Sequence, residues 1–258
     1  MDDLEQFAAI VGHPDPELDA ALALVAAHGR PSVDAAILVA RLDEMASRCR
    51  AQDASQLCAE LFGPDGLHGD VEHYHDPRNS LLDQVLSRRL GIPITLSVVA
   101  MEVGRRLDIG LHGIGMPGHF LVRDAGHPDA FYDPFRGGVL LDRVACRAVF
   151  ERLHGPSAPF DPTFLDPTPP LAIIRRVLAN LHHAHVQAGD RPGLIRVLQL
   201  QSRLPGAGVV ESRGLAQLLA ADGRFDEAAE VHDELAETDP DPAQDHRTMA
   251  LRLRARLN

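Results

Sequence analysis

Four short extended runs, 111–116, 119–124, 130–133 and 139–141, follow one another between glycine and proline turns. That spacing predicts an antiparallel sheet, since each run is long enough only for a strand and each break is long enough only for a turn. The apolar stretch just before them, 94–107, places Leu96, Val99, Val103 and Leu107 on one side of a helix, which supplies a cover for the sheet. Pro93 stands where that helix starts, and its missing N–H would have no intrahelical partner there in any case.

The flanks are helical. In 1–62, Pro14-Asp15-Pro16 and Pro31-Ser32 punctuate two apolar-periodic stretches, 18–27 and 33–49, and Asp53 opens a third helix that Gly63-Pro64-Asp65-Gly66 ends. Within 63–155, a polar loop at 68–80 precedes a short helix at 81–89. Residues 156–170 hold Pro156, Pro159, Pro162, Pro167, Pro169 and Pro170 and read as an ordered linker. From 171 to 258 the chain is again helical, and Gly189 and Gly223 lie 34 residues apart, each between two apolar helices. Around the second, Gly223, Phe225, Ala228 and Pro240 fall at tetratricopeptide spacing, and Pro205 nearly repeats the place of Pro240. The expected fold is therefore α+β and predominantly α. It has four parts: an N-terminal helical region (1–62), a sheet-containing core (63–155), a proline-rich linker (156–170) and a tetratricopeptide-like segment (171–258).

Composition removes several functions. The net charge of −12 disfavours nucleic acid as the main partner. No apolar run approaches the roughly 18 residues that span a bilayer, and the acidic start MDDLEQFAAI is unlike a signal peptide, so a cytoplasmic location is expected. Cys49, Cys58 and Cys146 show no paired spacing, which argues against a disulfide framework and a structural zinc. All 25 basic residues are arginine, so no lysine of this chain can be an amine donor in a crosslink.

The stretch with chemistry runs from His119 to Pro134. Two adjacent antiparallel strands would set His119 beside Asp133, and a carboxylate on one imidazole nitrogen leaves the other as a base. The runs 75–80, 88–97 and 113–121, with 174–181 and 211–215 further on, together resemble the SirB family, bacterial proteins that pair a transglutaminase-like, papain-related core with tetratricopeptide-like repeats. The resemblance covers nearly the whole chain. Working transglutaminases carry a cysteine nucleophile at the start of the core helix, and the resemblance implies that its absence here is a family feature. In this chain that position, four residues before Ser97, is Pro93. The implied reading is a non-catalytic module that binds a protein or peptide, using no cofactor. The competing reading is a hydrolase or acyltransferase in which His119 and Asp133 act with Ser97, Thr95 or an activated water. Thr95 and Ser97 have a bland alternative as hydroxyls bonded within the first turns.

Asn79, Arg88 and Arg89 lie next to the expected cleft as binding candidates, Asn79 also as a helix cap and the arginines also as solvent-facing groups. Arg123 is a second possible partner for Asp133. His68, His73, His75 and Asp76 offer imidazole and carboxylate groups, but a helix-entry segment explains them more simply, and no metal is expected.

Overall fold

The computed structural model describes residues 2–206, 209–238 and 243–256. Aspartate side chains set where several helices begin. Asp2 accepts from the Glu5 N–H at 2.8 Å while Glu5 accepts from the Asp2 N–H at 3.2 Å, and this reciprocal cap starts α1 (Asp3–Val11). α2 (Leu18–Gly29) is apolar nearly all round and buried along most of its length, as a helix without a polar face must be. Asp34 caps α3 (Ala35–Arg48) and Asp53 caps α4 (Ala54–Phe62).

β1 (His68–Gly69) then runs parallel to β2 (Leu90–Gly91), with a 3-10 turn, Pro77–Ser80, and α5 (Leu82–Arg88) in the connection between them. Arg89 adopts a left-handed conformation (φ 57°) that ends α5 and turns the chain into β2. α6 (Pro93–Arg106) follows, with Pro93 in its first turn.

The main sheet is a meander in chain order: β3 (Leu111–Ile114), β4 (Leu121–Asp124), β5 (Phe131–Asp133) and β6 (Val139–Leu141), all antiparallel. Its residues alternate between two covers. Phe120, Val122 and Tyr132 join the large core built on α2 and α6, while Leu121 and Phe131 meet Cys146, Val149 and Phe150 of α7 (Arg143–His154). Among the described residues five further helices follow: α8 (Pro170–Ala188), α9 (Arg191–Ser202), α10 (Val209–Ala221), α11 (Phe225–Thr238) and α12 (Ala243–Arg254). α8 packs Ile173, Val177 and Leu181 onto the large core. α9 faces two ways, with Val197 and Leu200 in that core and Ile195 and Leu198 in a third core with Leu215, Leu219, Ala228 and Leu253.

The fold is α+β and predominantly α, as the sequence pattern predicts. Three features depart from that pattern. A helix, α7, follows the last strand, capped by Asp142 through the Ala145 N–H. The strand expected from 119 begins only at Leu121, because the His119 N–H donates to Met116 O in a turn around Gly118 (φ 74°). The proline-rich stretch also does more than connect: the Thr168 N–H donates to Gly113 O and the Thr168 hydroxyl accepts from the Gly115 N–H, both at 2.8 Å, so it borders β3. Gly189 and Gly223 both lie in the left-handed region, after α8 and α10. Pro240 lies outside the described residues. Among the described residues no helix is long and apolar enough to cross a membrane.

Candidate functional site

The meander brings His119 and Asp133 together. The His119 Nε2–H donates to Asp133 Oδ2 at 2.8 Å, and the two residues are 6% and 0% exposed. This bond orients the imidazole and leaves Nδ1 for another partner. The other carboxylate oxygen, Asp133 Oδ1, is buried with no hydrogen-bond partner among the described residues, and Arg136 Nε lies 3.8 Å from Oδ2. Arg123 turns elsewhere and donates to Leu165 O at 3.3 Å.

The groups proposed as nucleophiles lie in α6. The Thr95 hydroxyl has Asn79 O at 2.8 Å and Ile92 O at 3.1 Å within reach of its one proton, and it accepts from the Ile92 N–H at 3.2 Å. It is engaged on every side. Ser97 is fully buried, and its Oγ has no partner among the described residues. The three thiols are poor nucleophiles where they stand. Burial pushes the Cys58 and Cys146 thiols up to about 12, with Asp124 adding to it at Cys58 and Asp142 and Asp133 at Cys146. Burial also raises the half-buried Cys49, beside Glu60.

Asn79, Arg88 and Arg89 are tied into the scaffold. Arg88 donates to Asn79 Oδ1 and to Asp70 Oδ2, both at 3.0 Å, and Asn79 Nδ2 donates to His73 O at 2.8 Å. Burial works to raise the Asp70 carboxyl, but the His73 N–H and the Arg88 guanidinium outweigh it and hold it below the usual range. Asn79 does not cap the helix that follows: it lies inside the 3-10 turn, which Asp76 caps through the Arg78 N–H, and α5 starts at Leu82 after Leu81. Arg89 donates to Asp65 O at 2.8 Å and lines a cavity of about 410 Å³ with Arg41, Arg48 and Cys49, a lining that includes neither His119 nor Asp133.

The four candidate metal ligands point to separate partners: His68 to Pro64 O, His73 to Asp70, Asp76 to Arg78, and His75 to neighbouring rings. Among the described residues, no group of three or more His, Cys, Asp or Glu side chains is arranged to hold a metal ion.

What surrounds His119 is aromatic. Its ring meets Phe135 edge-on (centroids 6.2 Å), Phe135 meets Tyr74 (5.8 Å), Tyr74 meets His75 (5.2 Å) and His75 meets His183 of α8 (5.3 Å). Gly69 makes room for this strip, because a Cβ there would come within 2.5 Å of the Phe135 ring. Arg176, also on α8, donates from Nη2 to His119 O at 2.8 Å and to Met116 O at 3.1 Å, over the face of Phe120. Sequence reasoning passed over Phe135, Tyr74 and Arg176 as site residues. Phe135 follows the Asp133-Pro134 pair directly, and that adjacency was the one available signal.

The geometry is that of an imidazole–carboxylate pair, with His119 in the turn just before β4 and Asp133 at the end of β5. The model of the Transglutaminase-like superfamily matches residues 28–179, more than half of the chain. The protein belongs to the transglutaminase-like superfamily. Its transglutaminase-like stretch runs from the end of α2 to the first half of α8 and so contains both the pair and Arg176. A UPF0162 protein of Xylella fastidiosa is 43% identical over 168 residues, 61% of this chain and 58% of that protein. The chain therefore spans somewhat over half the length of that relative. UPF0162 protein PA3419 of Pseudomonas aeruginosa is 30% identical over 226 residues, covering 84% of this chain and 83% of its own. F-box only protein 21 of Mus musculus is 40% identical over 63 residues, 24% of this chain and 10% of that protein. No solved structure matches the chain.

Proposed function

We propose that this chain is a non-catalytic transglutaminase-like protein of the SirB type that binds a protein or peptide segment over the His119–Asp133 pair. The observation that carries the reading is the composition of the first turn of α6. Its nucleophile position holds Pro93, and the nearby Thr95 hydroxyl is fully engaged. All three thiols are raised, so no activated sulfur takes the missing role. The strip Phe135–Tyr74–His75–His183 supports the binding half, since partly exposed aromatic side chains are typical anchors for a partner. The helices α9 to α12 are read as a tetratricopeptide-like extension, supported by the 34-residue spacing of Gly189 and Gly223 and by a core of their own. The net charge of −12 favours a partner other than nucleic acid.

A second reading is favoured by one feature. Ser97 Oγ is buried and unpartnered, and orphaned polar groups concentrate at functional sites. It gives a hydrolase or acyltransferase in which His119 and Asp133 act with Ser97 or a water. Two measurements separate the readings. Hydroxamate formation from a blocked glutamine peptide and hydrolysis of p-nitrophenyl acetate should stay at the uncatalysed rate. A displayed peptide library should yield saturable binders that are lost in Phe135→Ala. Turnover that disappears in both His119→Ala and Ser97→Ala would replace the first reading with the second.

A further inference from the structure

α8 sends one guanidinium into the candidate site without a counter-charge. Arg176 is half-buried, and among the described residues no carboxylate lies within ion-pair distance of it. Its two hydrogen bonds go to carbonyl oxygens, Met116 O and His119 O, and both come from Nη2. Nε and Nη1 have no partner among the described residues, and neither belongs to the buried orphan atoms, so both keep access to solvent. Burial pushes its pKa below the ordinary guanidinium range, and the neighbouring Tyr74 phenol opposes this only in part. Several other arginines in partly buried clusters meet carboxylates, although among the described residues the half-buried Arg123 meets only Leu165 O. Arg106 has Asp19, Asp43 and Glu102, and Arg88 has Asp70. A desolvated cation that lacks such a partner is costly unless something supplies one.

The surroundings restrict what supplies it. Arg176 holds the carbonyl of His119, whose ring begins the aromatic strip that runs through Phe135, Tyr74 and His75 to His183. Gly115 keeps the approach to Nη1 free, since a Cβ there would lie 3.3 Å from it. One fixed positive charge on a planar group with free N–H donors matches one carboxylate, and the rings of the strip match an aromatic or apolar group attached to that carboxylate. A dianionic phosphate would call for a second fixed cation, and the strip offers only imidazoles.

We infer that Arg176, together with the aromatic strip that starts at His119 and runs through Phe135 to Tyr74, forms a recognition site for a peptide carboxylate next to an aromatic side chain. The inference rests on the peptide-binding reading above and names the group that the site takes. It also makes α8 part of the site, because the arginine that meets the ligand is the one that holds the 116–119 turn.

The probe is N-acetyl-phenylalanine, with its amide and inorganic phosphate as controls, titrated into the full chain while the arginine Nε–H and imidazole resonances are followed by NMR. The acid should shift the Arg176 Nε–H saturably and bind at least about tenfold more tightly than the amide. Arg176→Lys keeps the charge but loses the planar group, and it should weaken the acid about tenfold while leaving the amide unchanged. Arg176→Leu should bring the acid down to the amide, and Tyr74→Ala, which leaves the 116–119 turn tied, should weaken both. Equal binding of acid and amide would overturn the carboxylate site while leaving peptide binding intact. Phosphate binding at least as tight as the acid, or no saturable shift with the acid at all, would overturn it as well. The displayed library decides the broader reading independently.

Discussion

Asp19 and Asp133 are the same residue type, 3% and 0% exposed, and their surroundings could hardly differ more. Asp19 Oδ1 accepts from the Ala20 N–H at 2.8 Å, and Oδ2 accepts from Arg105 at 3.0 Å and from Arg106 at 2.6 Å. The same two arginines bond Glu102, and Arg106 also reaches Asp43. Burial works to raise the Asp19 carboxyl, but the Arg106 hydrogen bond, the Ala20 N–H and both guanidinium charges hold it low. At Asp133 one oxygen holds His119 and the other has no hydrogen-bond partner among the described residues. A completed network ties α2, α3 and α6 together. The incomplete one keeps bonding capacity in reserve, which is what a site needs and a scaffold does not.

The largest test of that contrast is the same substitution at both positions. Asp19→Asn removes one charge from a buried pair and should cost about 3 kcal/mol or more, lowering the thermal midpoint by roughly 10 °C. Asp133→Asn should cost only about 1 kcal/mol, since it disturbs one bond and an oxygen already unpartnered. Equal losses in calorimetry would erase the distinction. Gly69→Ala comes next. Its Cβ would crowd the Phe135 ring and Phe135 O, at an expected cost of about 1–3 kcal/mol in denaturant unfolding and a loss of ligand response at His119.

The two hydroxyls of α6 give a finer version. Thr95→Val strands the buried Asn79 carbonyl and should cost about 1–2 kcal/mol, whereas Ser97→Ala removes an unpartnered hydroxyl and should be neutral or stabilising by less than about 1 kcal/mol. A large loss at Ser97 would reveal a bond that the scaffold depends on.

The smallest effect is a slope with pH. Burial lowers His28 despite the Gln199 hydrogen bond, and burial with His246 lowers His232 despite Asp233. A histidine with a depressed folded pKa binds fewer protons than its unfolded counterpart. Its contribution is therefore present above about pH 6.5 and is lost as the pH falls through the folded values. The lowered carboxyl of Asp19 acts in the same direction further down, losing its contribution below about pH 4. Denaturant midpoints should fall between pH 7.5 and 5.5, less steeply in His28→Gln.

The sequence exposes features that are local in the chain. His119 and Asp133 are 14 residues apart, the first just before β4 and the second at the end of β5, so one hairpin brings them together. Pro93 shows in the same way, as a break before an apolar helix. The Arg88–Asn79–Asp70 network does not, because it depends on two-residue parallel strands too short to carry a pattern. Arg176 reaches His119 O from 57 residues further on, and only the packing of α8 decides that approach. α7 was legible in part: Asp142 is a cap and Cys146, Val149 and Phe150 fall at helical spacing, but exposed Val144 and Leu153 blur the stripe.

The sheet's strand order has a consequence for how the molecule assembles. Every pairing in β3-β4-β5-β6 joins chain neighbours, so each hairpin closes over a short loop, an event on the order of microseconds. The His119–Asp133 contact can therefore form with its own hairpin, while Asp19 must wait for α6, 86 residues away along the chain at Arg105. Pulsed hydrogen exchange during refolding should protect Val122 and Tyr132 before Ala20 and the amides of α8. On that schedule the site's inner wall would be made early by the meander, and α8 would deliver its arginine last.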